Sequence, residues 1–427
     1  MQLRAAIICC FPATLLFAAC NSGPIAVGPV EQAVYVWQRA WTPEVVKGIQ
    51  NATESAETFM VLAAEIQFAG GKPEVFYPAV EWKTLESSGK SIVLVIRAHE
   101  LPGILSNEGR RDLCETLTPV ANQLAESALD NGTVIGGIQI DYDCATANLA
   151  HYHSLINNLR KDLPNVPMSI TALPTWLGQP GFEDLVDGLD EFVLQVHSLE
   201  TPKTIDDKAT LCDPARVPGW VDRAAQYGKP FYVALPTYGH ELIYDSVTGL
   251  FAGLRAEGRE DRLASATVRE LMADPADIAA IASSLKSNPP PHMRGIVWFR
   301  LPVEGDRLNW TWPLLERVMK GEVPEPNLVA EARSPEPGLF EIWIRNEGVV
   351  RSMEPVYVAV DWIHSGPMAH DILAGYSSDA RTGSSKCTLS GPCPRPGEEV
   401  MAAWFRLGGW EGDNRSRFNV GKAVIQP

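Results

Sequence analysis

The amino-acid sequence predicts an α/β protein in which a (β/α)8 TIM barrel is followed by a small C-terminal β-sandwich domain. Eight short runs of apolar and β-branched residues alternate with amphipathic segments along most of the chain. After Met319 the spacing of apolar residues changes from three or four to two, which is typical of strands with one buried face. A chain of 427 residues is long enough for one large core and one smaller core.

The eight apolar runs have the length of buried parallel strands, and we expect the barrel to span residues 31–319. Successive βα units close into a barrel, whereas a doubly wound open sheet would normally have a glycine-rich turn after its first strand. Val36–Arg39 shows no such turn. The predicted strands are Ala33–Gln38, Phe59–Glu65, Ser91–Arg97, Ile135–Asp141, Pro167–Ala172, Glu191–His197, Phe231–Leu235 and Gly295–Phe299. The predicted helices include Leu113–Leu129, Leu149–Leu163, Val217–Tyr227 and Pro275–Ser287.

A charged, proline-containing linker at residues 320–327 separates the barrel from the predicted β-sandwich at residues 328–427. The second region alternates apolar and polar residues, as strands with one buried face do. Its serine-, glycine- and proline-rich stretch Ser377–Glu399 is predicted to be a long loop. The predicted strands are Phe340–Arg345, Val356–Trp362, Val400–Arg406 and Arg417–Val424.

The N-terminal residues 1–20 have the features of an export signal. One positive charge precedes an apolar stretch, Ala5–Ala19, and small residues then precede Cys20. This pattern resembles a bacterial lipoprotein signal, which implies that Cys20 is lipidated and that residues 21–30 form a tether. A plain secretory signal ending at a cysteine is the alternative. We expect an exported protein, anchored by lipid to the bacterial cell envelope and facing the periplasm or the exterior.

The charge balance limits the classes of partner. With 52 acidic against 36 basic residues, the formal net charge is −16. Such a surface repels nucleic acid and anionic lipid, so we expect no nucleic-acid partner and contact with a membrane only through the lipid anchor. No stretch after the signal approaches the roughly 20 apolar residues that a membrane-spanning helix needs.

Five cysteines remain after the signal and Cys20 are set aside. Cys387 and Cys393 flank a glycine- and proline-containing loop, and an oxidising compartment favours a disulfide between them. The pairing of Cys114, Cys144 and Cys212 stays open, with a bridge between Cys144 and Cys212 as one alternative. The chain has no Cys-x-x-Cys and no His-Glu-x-x-His motif, so neither a metal nor another cofactor is expected.

The fourth predicted strand contains the main candidate site residues. Because side chains alternate across a strand, Gln139, Asp141 and Asp143 share one face, at the end of a barrel where ligands bind. The two carboxylates would stand about 6.6 Å apart along the strand. Like charges this close favour protonation of one carboxyl group, which makes it a candidate proton donor. Alternatively, both acids cap the strand by accepting hydrogen bonds from loop amides.

The segment Gly136–Asp143 resembles the fourth-strand signature Asp-Gly-x-Asp-x-Asp-x-Glu of family 18 glycoside hydrolases, the chitinase-like barrels. Three further strands resemble the same family. Ala234–Gly239 is similar to its seventh-strand Gly-x-Pro-x-Tyr-Gly motif, and Gln195–His197 falls where its sixth strand has Met-x-Tyr. Trp298 falls on the tryptophan that lies under the sugar in the eighth strand. The order and spacing agree over most of Ala33–Met319.

The resemblance implies a retaining, metal-independent hydrolase of N-acetylhexosamine glycans, in which the substrate's acetamido oxygen is the nucleophile. Asp143 would be the general acid, and Asp141 would orient the acetamido group. Tyr238 would hydrogen-bond that group, and Trp298 would stack under the sugar. The full set of predicted substrate-binding residues is Gln139, Trp298, His197, Gln195, Trp176 and Arg300.

The sequence also departs from the family pattern. Gly136 and Gln139 replace its first two aspartates, Asp143 replaces the longer glutamate, and His197 replaces a tyrosine. The chain is most similar to a group of bacterial proteins of unknown function with the same Gln-Ile-Asp-Tyr-Asp strand and a Val-Trp-Gln-Arg-Ala-Trp first strand. A second hypothesis is therefore a catalytically inactive envelope lipoprotein that binds a glycan or a protein.

Other residues near the predicted strand ends have a less specific chemistry. Trp37 is expected in the core, whereas Trp176 and Trp298 suit core packing and sugar stacking equally. Because a mouth with two acids needs counter-charge, the nearby arginines are expected to pair with Asp141 and Asp143 rather than to bind an anionic sugar. Glu65 is positioned as a further base. The remaining strand-end candidates are Arg39, Arg97, Arg300, His99 and His197, of which the histidines are expected to be hydrogen-bonding residues.

Overall fold

The computed structural model describes residues 29–69, 72–99, 107–257, 266–352, 354–363, 367–381, 384–408 and 418–425. The signal, Cys20 and most of the tether lie outside these residues. The strands of the barrel region are β1 (Glu31–Val36), β2 (Thr58–Ala69), β3 (Lys72–Phe76), β4 (Ser91–Ala98), β5 (Ile135–Asp141), β6 (Met168–Ala172), β7 (Glu191–Gln195), β8 (Phe231–Pro236), β9 (Gly239–Asp245), β10 (Phe251–Arg255), β11 (Ala266–Met272) and β12 (Met293–Phe299). The helices are α1 (Pro43–Ala52), α2 (Trp82–Ser88), α3 (Asn107–Asp130), α4 (Leu149–Asp162), α5 (Pro180–Asp187), α6 (Val217–Ala225), α7 (Pro275–Ser287) and α8 (Trp312–Met319).

Eight parallel strands form a closed barrel in the order β1-β12-β8-β7-β6-β5-β4-β2, and pairing between β1 and β2 completes the ring. Each of the eight predicted strands overlaps one of these, and the four predicted helices overlap α3, α4, α6 and α7. The prediction of a (β/α)8 barrel is therefore confirmed. The additional strand β3 pairs antiparallel with the long strand β2.

Proline sets the start of five helices. It occupies one of the first two positions of α1, α5, α6, α7 and α8. Its fixed φ suits the first helical turn, where its missing N–H costs no intrahelical hydrogen bond. In α7 the preceding Asp274 side chain also accepts hydrogen bonds from the backbone N–H groups of Ala276 and Asp277. Among the described residues, no helix combines the length and apolarity needed to cross a membrane.

Two separate hydrophobic clusters fill the barrel region. One lies inside the barrel and includes Tyr35, Val95, Tyr232 and Val297, with Phe299 packed against it. The larger cluster lies between the strands and the surrounding helices. Because successive side chains of a strand point to opposite faces, a shift of one position moves a residue from one cluster to the other.

An unpredicted three-stranded antiparallel sheet, in the order β10-β9-β11, is inserted between β8 and α7. Its outer strands are partly exposed, and β10 pairs irregularly with β9 between Phe251 and Gly253. Neither outer strand has the continuous apolar run of a barrel strand.

In the described residues after the barrel, eight strands form two four-stranded antiparallel sheets. The sheet orders are β13-β14-β19-β16 and β17-β18-β15-β20, and buried residues of both sheets belong to one hydrophobic cluster. The four predicted strands are confirmed, but the prediction that Ser377–Glu399 is a loop is wrong. That stretch contains β17 and the interior strand β18. The strands are β13 (Leu328–Arg333), β14 (Leu339–Asn346), β15 (Val356–Trp362), β16 (Ala369–Ile372), β17 (Ser377–Ser378), β18 (Lys386–Gly391), β19 (Glu399–Arg406) and β20 (Phe418–Ile425).

The predicted Cys387–Cys393 disulfide is not formed, because both residues are buried free thiols. Cys387 lies in β18 opposite Val360, and the Cys393 thiol donates to the Pro394 carbonyl oxygen at 3.4 Å. Cys387 thus lies within strand β18, whereas Cys393 lies in the segment that follows it. Cys144 and Cys212 are also buried, and no disulfide joins them, so the alternative bridge is absent. The Cys114 side chain lies outside the described part of the structure.

Candidate functional site

Asp141, the last residue of β5, is fixed by the two strands that flank it. Its side chain is 5% exposed. One carboxylate oxygen accepts a hydrogen bond from the Thr171 hydroxyl of β6 at 2.6 Å. The other accepts from Arg97 of β4 at 3.1 Å, and the register of β4 and β5 places Arg97 directly beside Asp141. A hydrogen-bonded ion pair from neighbouring strands therefore holds this carboxylate at the carboxyl end of the barrel.

Gln139 lies one layer deeper, where it is fully buried. The Tyr35 hydroxyl donates to its carbonyl oxygen at 2.6 Å, and its amide donates to the Ser169 hydroxyl at 3.3 Å. These bonds satisfy a neutral side chain at a position where the family resemblance implies an aspartate. Gln139 is thus inaccessible to solvent and supports the mouth from below.

Glu65 belongs to a second ion pair at the mouth. Arg39 donates two hydrogen bonds to its carboxylate, at 3.0 and 2.5 Å, and the His99 ring lies 3.9 Å away. Burial alone would raise the pKa of Glu65, but hydrogen bonds and charge from His99 and Arg39 lower it to about 2. The Glu65 carboxylate is thus a weak base that is already hydrogen-bonded to Arg39, which does not suit the role of a general base.

Aromatic rings cover the floor of the mouth. The rings of Trp37 and Phe299 lie 5.1 Å apart, and each lies 5.5 Å from the ring of Tyr35 in an edge-to-face arrangement. The Arg97 guanidinium lies 5.6 Å from the centre of the Trp37 ring. Trp37 is partly exposed, so this cluster presents an aromatic surface beside the Asp141–Arg97 pair.

His197 and Tyr238 border the same aromatic floor. The His197 ring stacks on Phe299 at 5.3 Å, and its Nδ1 lies 3.3 Å from the Tyr238 hydroxyl. Burial, together with the nearby His240, lowers the pKa of His197 to about 3, so the ring is neutral at physiological pH. The Gln195 amide donates to the His197 backbone carbonyl.

Asp143 lies in the loop after β5, two residues beyond Asp141. It is half-buried and makes contacts of its own. Neither Arg39 nor Arg300 pairs with it. Arg39 pairs with Glu65, and Arg300 lies 3.5 Å from Asp306 and 3.8 Å from Glu257. The expectation that Arg300 pairs with the strand acids is therefore wrong, since its charge is directed to Asp306, beyond β12, and to Glu257, after β10.

Two predicted substrate-binding tryptophans do not reach the mouth. Trp298 is fully buried in the cluster between strands and helices, where its indole N–H donates to Gln32 at 2.9 Å. Trp176 is fully buried in the same cluster and donates to the Cys144 carbonyl. Phe299, one position later than Trp298, faces the barrel interior instead.

Sequence reasoning thus missed three residues of the mouth. Phe299 would have been found by the alternation that placed Gln139 and Asp141 correctly, because Val297 and Phe299 share the interior face of β12. Trp37 was expected in the core, but it is partly exposed at the mouth. No sequence pattern marked Thr171 as a site residue, since threonine is common in buried strands.

We find no significant match among curated proteins. Solved structures similar to this chain include a chitinase from Chromobacterium violaceum, with 13% identity and a TM-score of 0.48 over 68% of this chain and 99% of that chain. The spore cortex-lytic enzyme SleL of Bacillus megaterium has 14% identity and a TM-score of 0.46 over 69% and 74%. A family 18 chitinase, ChiB of Flavobacterium johnsoniae, has 12% identity and a TM-score of 0.44 over 69% and 94%. Residues 88–304 match the model of a family described as a domain of unknown function, DUF3142, and because this match spans half of the chain, the protein belongs to that family.

Proposed function

We propose that the barrel mouth recognises a glycan containing N-acetylhexosamine. The observation that supports this most directly is the aromatic floor of Trp37 and Phe299 beside the polar groups of Asp141, His197 and Tyr238. Sugar rings present apolar C–H faces that stack on aromatic rings and polar edges that need hydrogen-bonding partners. The sequence resemblance to chitinase-like barrels supports an N-acetylated sugar.

The geometry favours recognition over hydrolysis. In the substrate-assisted reaction, Asp141 would have to orient the acetamido group, yet its two oxygens already accept from Thr171 and Arg97. The candidate acid Asp143 is one methylene shorter than glutamate, and a displacement of about 1 Å can cost on the order of a hundredfold in rate. Trp298 lies away from the mouth.

Hydrolysis is the second candidate function, supported by Asp143, a carboxylic acid in the loop after β5 and two residues after Asp141. Asp143 would protonate the glycosidic oxygen as the C1–O bond breaks, while the acetamido oxygen attacks C1 and Tyr238 hydrogen-bonds the acetamido group. For this reaction, substrate binding would have to draw Asp141 away from Arg97.

Binding is tested by titrating N-acetylglucosamine oligomers into the protein in a calorimeter. We expect Trp37→Ala to abolish binding and Trp220→Ala to leave it unchanged, because Trp220 lies on helix α6, away from the mouth. Unchanged affinity in a folded Trp37→Ala variant would refute the proposed site.

Hydrolysis is tested separately, with chromogenic N-acetylglucosaminides and peptidoglycan fragments. Turnover by the wild type that Asp143→Asn abolishes would establish the second candidate. Binding by both proteins without turnover would favour recognition alone. Turnover at equal rates by the two would show that Asp143 is not the acid.

We also propose that the protein is exported and anchored by a lipid on Cys20, on the basis of the signal-like residues 1–20. We infer that the two C-terminal sheets form a β-sandwich, supported by the cluster of buried residues that they share. The domain bounds 31–319 and 328–427 stay predictions.

Metabolic labelling with palmitate tests the proposed lipid anchor on Cys20. The wild type should be labelled and membrane-bound, whereas Cys20→Ala should be unlabelled.

A further inference from the structure

A second cavity lies away from the barrel mouth, between the inserted sheet and the C-terminal sheets. Its volume is about 760 Å³, within the usual range for small-molecule sites of about 300–1,000 Å³. Strands β9, β10 and β11 contribute one wall. The segment Pro392–Arg395, with Tyr376, contributes the other. A ligand in this cavity would contact both regions.

The cavity is positively charged in a protein that is strongly acidic overall. Five arginines and three glutamates line it, which leaves an excess of two positive charges, whereas the whole chain has a net charge of −16. The arginines are Arg255, Arg269, Arg307, Arg351 and Arg395, and the glutamates are Glu241, Glu270 and Glu398. A concentration of one sign of charge in a concave site raises the local concentration of ligands of the opposite sign.

The ion pairs inside the cavity do not balance its charge. Glu270 accepts from Arg351 at 2.9 Å and from Arg395 at 2.8 Å, and Arg307 lies 3.5 Å away. Arg307 also pairs with Glu241, which Arg255 contacts too. Among the described lining residues, the carboxylates of Glu241 and Glu270 are thus shared by four guanidinium groups, of which Arg255 has a further contact. Each guanidinium has five N–H donors in a planar fork that suits carboxylate and phosphate oxygens.

We propose that this cavity binds a sugar carrying a carboxylate or phosphate group. The anionic group would supply the charge that Glu241 and Glu270 do not, and the partly exposed Arg395 and Arg307 are the accessible donors. Pro392 and the small exposed part of Tyr376 add an apolar wall for the sugar ring. The proposal does not depend on the function proposed for the barrel mouth.

Calorimetric titration at low ionic strength tests the proposal with glucuronate, glucose 6-phosphate, inorganic phosphate and glucose. We expect glucuronate or glucose 6-phosphate to bind, glucose not to bind, and added salt to weaken binding. Arg395→Gln should weaken it about tenfold or more. Arg345→Gln is the matched control, because Arg345 pairs with Glu347 and Glu399 outside the cavity.

A second variant separates a ligand site from a purely structural ion-pair network. Glu270→Gln removes a negative charge, so it should tighten anion binding if excess positive charge drives it. Looser or unchanged binding in a folded Glu270→Gln variant would overturn the proposal. So would the absence of binding by both sugar anions, binding of inorganic phosphate alone, or full affinity in Arg395→Gln. If Glu270→Gln fails to fold, the half-exposed Arg395 decides the question, since its loss leaves Glu270 paired with Arg351.

Discussion

The ion pair between Glu65 and Arg39 makes the stability of the barrel depend on pH in a way that can be calculated. Hydrogen bonds and charge from His99 and Arg39 outweigh the effect of burial and hold the pKa of Glu65 at about 2, below its ordinary value of 4.5. A carboxyl group whose pKa is lower in the folded state stabilises the fold above its unfolded pKa and loses that contribution as the pH falls. The relevant window therefore runs from about pH 5 down to about pH 2.

The magnitude follows from the two pKa values. A shift from 4.5 to about 2 corresponds to about 3 kcal/mol of unfolding free energy at pH 6, and this falls to about 1.4 kcal/mol at pH 3. Glu65 is 7% exposed, but Arg39 is 63% exposed, so solvent screens part of the attraction. If screening halves the pKa shift, we expect roughly 1.5 kcal/mol at pH 6 and about 0.2 kcal/mol at pH 3.

Urea denaturation of the wild type and of Glu65→Gln at pH 6 and pH 3 measures this contribution. Other carboxylates titrate in both proteins, so the difference between the two isolates Glu65. That difference should shrink by about 1 kcal/mol or more on acidification. Glu304→Gln is the control, because Glu304 pairs with Lys47 at the surface and both are largely exposed. Parallel loss of stability in the wild type and Glu65→Gln would refute the reasoning.

Three further predictions test the placement of particular side chains. Because Trp298 packs in the core, Trp298→Phe should lower the unfolding free energy by about 1–3 kcal/mol without changing glycan affinity. Urea denaturation measures the first quantity and calorimetry the second. Lost affinity in a folded variant would contradict this placement. His197 should stay neutral from pH 8 down to pH 5 in an NMR titration, because its pKa is about 3. The stability that the neutral ring contributes above pH 6.5 should be lost as the pH falls towards 3. A titration midpoint near pH 6.5 would contradict the burial of His197. Alkylation after denaturation without reductant should label both Cys387 and Cys393, whereas a disulfide-linked peptide in the mass spectrum would show that they pair.

The barrel was predictable because each of its strands is a short apolar run. Strands such as Ser91–Ala98 are buried on one face by the barrel interior and on the other by the helices, so nearly every residue is apolar. The inserted strands Phe251–Arg255 and Ala266–Met272 have partly exposed faces and no continuous run. Their pairing is set by long-range contacts, which no local pattern reports.

The candidate site was predictable in location but not in its partners. Alternation alone placed Gln139 and Asp141 on the interior face of β5, and both are buried there. The tryptophan of β12 was instead assigned to the site from the family motif. In the structure Trp298 faces the helices, and the next residue, Phe299, faces the barrel interior. The Asp141–Thr171 bond depends on the register between β5 and β6 and on a side-chain rotamer, neither of which the sequence of one strand specifies.

The arrangement of charge favours different classes of ligand at the two proposed sites. At the barrel mouth, Asp141 is compensated by Arg97 and Glu65 by Arg39, so these two carboxylates add little net charge beside the aromatic floor. Such a surface suits a neutral N-acetylated sugar, because an anionic ligand would have to compete with Asp141 and Glu65 for arginines that are already paired. In the second cavity, Glu270 is shared among three arginines, and the surplus positive charge favours an anion. A substitution that removes positive charge should therefore weaken ligand binding at the second cavity, whereas binding at the mouth should respond mainly to loss of an aromatic ring.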